Sequence, residues 1–205
     1  TDMHYDVLSG ISVGSINAGG FALFPKGEEK EATEYLRTMW EKLTNDGVWK
    51  YWPGFEPYQA LFNHTSLLDS SPLFETLNEK FDTHNRTIHR NLITAAVNVE
   101  TGGIEVQDFD DLTGDLYSTA VLASASVPFV FPYTKLNGKY QMDALSCGWN
   151  VNMISAINKC LEIVDDPSKI ILDVMTMYPD SVDEIKSPQN QTTFTNYMRS
   201  RAIRS

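Results

Sequence analysis

Cysteine is scarce here: Cys147 and Cys160 are the two in 205 residues. That excludes a disulfide framework and offers no metal-binding spacing, so the pair reads as small buried hydrophobes. Histidine is also sparse, with His4, His64, His84 and His89 making four and none after residue 89. Basic residues are in deficit, 16 Lys and Arg against 27 Asp and Glu, for a formal net charge of −11. A field of that sign repels a phosphate backbone, so no nucleic-acid partner is expected. No apolar run reaches the ~20 residues of a membrane-spanning helix. What remains is 42% hydrophobic and 21% charged residues, an ordinary globular composition with chain enough for one buried core.

Along the chain, strands alternate with helices. Tyr5 to Ser9 read as a strand ending at Gly10, and Ser15 to Phe24 as a helix of small and apolar residues closed by Pro25. Glu28 to Leu43 carry Ala32, Leu36, Met39, Trp40 and Leu43 at helical spacing. The aromatic stretch Val48 to Phe62, broken by Pro53, Gly54 and Pro57, reads as a structured loop, with packing over the core favoured over a lipid–water boundary. Ser71-Pro72 opens a helix to Phe81. Leu92 to Val99 is a buried strand leading through Gly102-Gly103 into Ile104 to Val106, and Asp115 to Ser124 are helical in composition. Asn137-Gly138 marks a second hairpin, with Asp143 at its far end. Lys169 to Tyr178 is a near-continuous apolar run expected to be a strand covered on both faces, and Asn190 to Ser205 is weakly helical. The expectation is an α/β layered domain with a mostly parallel sheet.

Gly10-Ile11-Ser12-Val13-Gly14 is a G-x-S-x-G sequence between a strand and a helix, the setting of a nucleophile elbow. The tight turn strains the serine backbone and lifts its hydroxyl, and both glycines are expected where strand and helix backbones pass closely. Ser12 then stands at the helix start, where the dipole and the Val13 N–H favour an oxyanion. A serine nucleophile needs a base. With no histidine after residue 89, a buried carboxylate is the alternative, and Asp143 is the candidate because it ends a strand in a stretch poor in charge.

Three segments together carry a resemblance. Gly10 to Gly20, G-I-S-V-G-S-I-N-A-G-G, resembles the nucleophile segment of the patatin-like phospholipase family. Ala123-Ser124-Ala125-Ser126-Val127-Pro128 through Phe131-Pro132 is similar to its A-S-x-x-x-P…F-P stretch. Met142-Asp143 with Trp149-Asn150-Val151-Asn152 beyond it is similar to its Asp-Gly-Gly/Ala segment and the adjoining N-x-P/N-x-N. The order spans about residues 5 to 178. The resemblance implies an α/β/α layered fold and a serine–aspartate dyad, Ser12 as nucleophile and Asp143 as base, with Gly10, Val13 and Gly14 forming the elbow and oxyanion side. It implies hydrolysis of the acyl ester of a phospholipid or neutral lipid through an acyl-enzyme, with no cofactor or metal in the chemistry and with peripheral membrane contact open. One patatin-like catalytic domain over residues 1–205, truncated at both ends, is the expectation.

Asp143 is followed by Ala144 and Leu145 where the family carries glycine. That departure leaves open a catalytically silent lipid-binding or storage member of the fold, and an acyltransferase would use the same elbow. Asp108-Phe109-Asp110-Asp111 hints at a calcium loop, but Thr113 and Thr119 stand where glycine and glutamate belong, so a solvated acidic turn is the reading. His84 and His89 lack metal-ligand spacing. Arg199, Arg201 and Arg204 read as a solvated face that could also meet acidic headgroups. Sequons at Asn63, Asn85 and Asn190 decide nothing about compartment; a cytoplasmic or membrane-peripheral setting is favoured, with a secretory route and the oligomeric state left open.

Overall fold

β1 (Val7–Gly10) turns sharply into α1 (Val13–Ala22), whose glycines and alanines let it lie close to its neighbours. A Cβ on Gly20 would sit 2.6 Å from Leu36 Cδ2 of α2 (Glu29–Lys42). The computed structural model describes residues 4–54, 63–149, 151–176, 192 and 195. The chain forms two compact units, Thr1–Ile170 and Ile171–Ser205.

In the first unit, α2 is the amphipathic surface helix expected, with Ala32 its buried residue, Glu29 and Glu31 in its first turn and Lys42 in its last, each favourably placed against the helix dipole. α3 (Ser71–Thr83) begins with Pro72 in its first turn, where a missing N–H costs nothing. The Ser71 N–H is capped by Asp69 Oδ1 at 2.8 Å. Leu73, Leu77 and Phe81, at i, i+4 and i+8, give α3 its buried stripe.

β2 (Asn91–Asn98) is the centre of the sheet. It pairs in parallel with β1, Gly10 opposite Thr94, and antiparallel with β3 (Ile104–Asp108). It also pairs antiparallel with β5 (Lys139–Asp143), Asp143 opposite Ala96, and β4 (Thr134–Leu136) closes the hairpin on β5. Leu92 to Asn98 are buried throughout, so both faces of β2 are covered. α1 packs on β1 and β2, α4 (Tyr117–Ala125) on β2, β4 and β5, α3 on α4, and α5 (Met153–Leu161) on β1 and β2. The α/β/α expectation holds; the ladders among the described residues are mixed, parallel where β1 meets β2 and antiparallel where the hairpins join. Asn137 and Gly138 both take positive φ, 49° and 82°, the two-residue turn their sequence demands. The core gathers Ile16, Leu77, Phe81, Leu92, Phe109 and Val121 between sheet and helices.

Two buried cations tie these layers together. The unexposed Arg90 side chain donates to the carbonyls of Phe24, Tyr5 and Pro25 and to Glu29 Oε1 at 2.9 Å, and lies 4.9 Å from the Phe21 ring centre. It thereby fixes the end of α1 against the start of α2. Burial of Glu29 opposes its charge, but hydrogen bonds from Arg90, its own backbone and His4 and the Arg90 charge outweigh this, holding its carboxyl at about 2. Lys159 on α5 meets Asp108 at 2.7 Å, Asp110 at 2.8 Å and Glu162 at 3.0 Å, and these carboxylates hold its ammonium well above the usual lysine range. The acidic turn is exposed at Asp110 and Asp111, as its composition suggests, and Lys159 offsets part of its charge from within the fold.

Three expectations change. The apolar run Lys169 to Tyr178 predicts a doubly covered strand, but residues 170–176 form no ladder, with Ile171 88% and Met175 93% exposed. Apolar residues favour burial, yet a strand also needs a neighbour with free backbone groups in register, and these residues have none among the described ones. Residues 177 and 178 and nearly all of the Asn190 to Ser205 tail lie outside the described residues. Cys147 is exposed and Cys160 half-buried, both free, because the turn after β5 carries Cys147 to the surface. α5 is an addition to the elements expected, although Met153, Ile157, Cys160 and Leu161 recur at helical spacing.

Candidate active site

The turn between β1 and α1 is held in a conformation that residues other than glycine avoid: Ser12 has φ 57° and ψ −127°. Gly10 makes this possible, since a Cβ there would stand 2.1 Å from the Gly14 carbonyl oxygen. Gly14 differs from the expectation. A Cβ on it would meet nothing within 4 Å, so close passage explains the first glycine of the motif and not the second.

Several hydrogen bonds fix the turn. Gly14 N–H donates to the Ile11 carbonyl at 2.8 Å and Ser15 N–H to the Ser12 carbonyl at 2.9 Å. The Ser15 hydroxyl reaches the Ser12 carbonyl at 2.6 Å and the Val121 carbonyl at 3.2 Å. The Ser12 N–H donates to Ser124 Oγ at 3.0 Å, and Ser124 Oγ in turn donates to the Ala95 carbonyl of β2 at 2.7 Å. Three of the N–H groups from Ser12 to Ser15 are thus engaged. The fourth, on Val13 at the first position of α1, has no partner among the described residues.

Asp143, 1% exposed, is the last residue of β5. Its N–H donates to the Ser126 carbonyl at 2.9 Å, and its Oδ1 accepts the Leu145 N–H at 2.8 Å. Ala144 takes right-handed torsions, φ −71° and ψ −29°, and Leu145 has no positive φ. The departure from glycine after Asp143 therefore demands no glycine torsion, and the Leu145 N–H itself orients the carboxyl. The register of β2 brings the C-terminal ends of β1 and β5, and with them the two candidates, towards each other at the middle of that strand. Gly10 pairs with Thr94 and Asp143 with Ala96, two positions further along the same strand, while Ser12 lies two residues past Gly10.

The end of α4 binds both. Ser124 holds the Ser12 N–H and Ser126 the Asp143 N–H. Ser126 sits at φ −77° and ψ 75° in a tight turn closed by Val127 N–H to the Ala125 carbonyl at 2.9 Å, and its hydroxyl is tied to the Leu122 carbonyl and to Thr134 Oγ1. The A-S-A-S sequence thus has a physical content that spacing along the chain did not disclose.

Ser12 and Val13 open onto a cavity of about 150 Å³ between α1, α2, α3 and the segment after α4. Its walls are apolar, among them Ile16, Met39, Leu77 and Phe131. Its other polar lining residues are otherwise engaged: Thr76 donates its hydroxyl to the Gly47 carbonyl at 2.8 Å, and Lys80 pairs with Glu79 at 3.0 Å. Among the described residues, no three histidine, cysteine or acidic side chains gather as metal ligands. His84 packs edge-on against Phe24 and Tyr35, a core role.

The family model for Patatin-like phospholipase matches residues 1–145, from ahead of β1 to two residues beyond Asp143. The chain belongs to the patatin-like phospholipase family. No curated protein matches the chain. Membership makes it a lipid hydrolase in class and lipid its class of substrate. The matched span holds the elbow, the end of α4 and Asp143, the same residues that the geometry above gathers around the middle of β2.

Proposed function

We propose that this patatin-like protein hydrolyses acyl esters of lipids through a Ser12–Asp143 dyad. The observation that carries the proposal is the strained Ser12, standing at the start of α1 on the wall of an apolar cavity. The acyl chain enters that cavity, driven by burial of its methylenes, and leaves the ester carbonyl at Ser12. Ser12 Oγ attacks the carbonyl carbon as its proton passes to the Asp143 carboxylate. The negative charge that develops on the carbonyl oxygen is met by the Val13 N–H and the positive end of α1. The tetrahedral intermediate collapses, and the leaving alkoxide takes the proton from Asp143. Water then attacks the acyl-enzyme, giving its proton to Asp143, and the fatty acid departs as that proton returns to Ser12.

Leu145 N–H on Asp143 Oδ1 supports the base assignment, because it fixes one carboxylate oxygen and thereby the direction of the other. The exposed Tyr51, edge-on to Trp49, favours contact of residues 49–51 with a lipid surface during turnover, while residues 55–62 of the aromatic stretch lie outside the described residues. The test is turnover of phospholipid, triacylglycerol and short-chain ester by wild type, Ser12→Ala and Asp143→Asn. Loss in both variants, by about 10³-fold or more, supports the dyad. Retained turnover in either variant refutes it. Liposome binding without turnover would point instead to a silent lipid-binding member, and acyl transfer to an added alcohol in preference to water would point to a transferase.

A further inference from the structure

Ser124 is completely buried, the last residue but one of α4, and 112 positions from Ser12 in sequence, yet its hydroxyl is the partner of the Ser12 N–H. The hydroxyl has a direction. It accepts from Ser12 N at 3.0 Å and gives its own proton to the Ala95 carbonyl at 2.7 Å, so the β2 backbone orients the lone pair that faces the elbow. We infer that Ser124 is a positioning residue for the nucleophile: its hydroxyl holds Ser12 in the strained turn and keeps the Ser12 N–H directed away from the substrate.

The geometry has two consequences. A residue at φ 57° and ψ −127° reverts to an ordinary conformation unless its surroundings over-determine it. Gly10 permits the strained turn by lacking a Cβ, but it does not enforce it; the Ser124 bond and the Ser15 bonds do. The Ser12 N–H is also removed as an oxyanion donor, which leaves that task to Val13. The neighbouring Ser126 carbonyl holds the Asp143 N–H at 2.9 Å, so a shift of this turn moves nucleophile and carboxylate together.

The inference rests on Ser12 being the nucleophile, and the experiment separates the two. In the full chain, the second-order rate of Ser12 acylation by a fluorophosphonate is measured for wild type, Ser124→Ala, Ser124→Thr and Ser118→Ala, with kcat and KM on a short-chain ester. Ser118 is a matched control, since it lies on the same helix, is equally buried, and its hydroxyl has no partner among the described residues. The expected result is an acylation rate and kcat lowered about 10- to 100-fold in Ser124→Ala with KM little changed. Ser124→Thr, which keeps the hydroxyl, restores most of the rate, and Ser118→Ala matches wild type. Wild-type rates in Ser124→Ala, or equal loss in Ser124→Ala and Ser124→Thr, would overturn the inference. If wild type itself takes no adduct, the nucleophile reading fails, and hydrogen exchange at the Ser12 amide still decides the positioning role. Protection in wild type and Ser124→Thr that is lost in Ser124→Ala supports it, and equal exchange in all three overturns it.

Discussion

Replacing each glycine of the elbow by alanine separates two roles that the motif runs together. At position 10 the new Cβ would lie 2.1 Å from the Gly14 carbonyl oxygen and 2.4 Å from its carbon. Both are backbone atoms on the first turn of α1, so no side chain can yield. Relief requires α1 to move from β1 by on the order of 1 Å against a close-packed core. Overpacking where side chains can adjust costs about 1–3 kcal/mol. With only backbone to move, Gly10→Ala should cost about 3 kcal/mol or more, which for a chain of this size is a melting point lower by about 6–12 °C. At position 14 the Cβ meets nothing, the backbone φ is not positive, and the residue is helical. Gly14→Ala should therefore be neutral or stabilising by up to about 1 kcal/mol. Urea denaturation monitored by far-ultraviolet circular dichroism compares the two directly. Equal midpoints for the two variants, or a larger loss at position 14, would refute the steric account.

Arg90→Met leaves Glu29 and three carbonyls without their shared donor and should cost about 3–5 kcal/mol, read from the urea midpoint; a loss below about 1 kcal/mol would contradict its clamping role. The Glu29 carboxyl is held at about 2, below the ordinary 4.5, so the stability it contributes is present above pH 4.5 and is lost as the pH falls from there towards 2. Glu29→Gln should flatten that part of the acid denaturation profile, and parallel profiles would rule the effect out. The cavity of about 150 Å³ matches one known to hold benzene, so esters with short acyl chains should give the highest kcat/KM. Leu77→Ala should cost about 2–5 kcal/mol while moving that preference to longer chains, measured across an ester series; an unmoved preference would mean the acyl group binds elsewhere.

Much of the site's frame was legible because it is local. The run from Tyr5 to Phe24 announces strand, turn and helix through hydrophobic pattern and glycine placement alone, and Asn137-Gly138 fixes the hairpin that ends at Asp143. The rest depends on contacts that no window contains. Ser124 stands in the A-S-x-x-x-P stretch, but only the fold sets it against Ser12, and nothing near Arg90 in sequence shows that three carbonyls converge on it. The cavity is made by four separate segments, so its size has no linear signature. Lys169 to Tyr178 shows the opposite failure: a strong local pattern over residues that, as far as they are described, form no ladder. Gly14 gives a milder case, since its place in the motif suggested a close approach that only Gly10 makes.

The central claim is that Ser12 is an activated nucleophile in this site. Treatment of the protein with a fluorophosphonate and peptide mapping by mass spectrometry test it without any choice of lipid. The account predicts one phosphonyl group on the peptide holding Ser12, absent in Ser12→Ala and strongly reduced in Asp143→Asn. A folded protein that takes no adduct, or takes it on another serine, would contradict it.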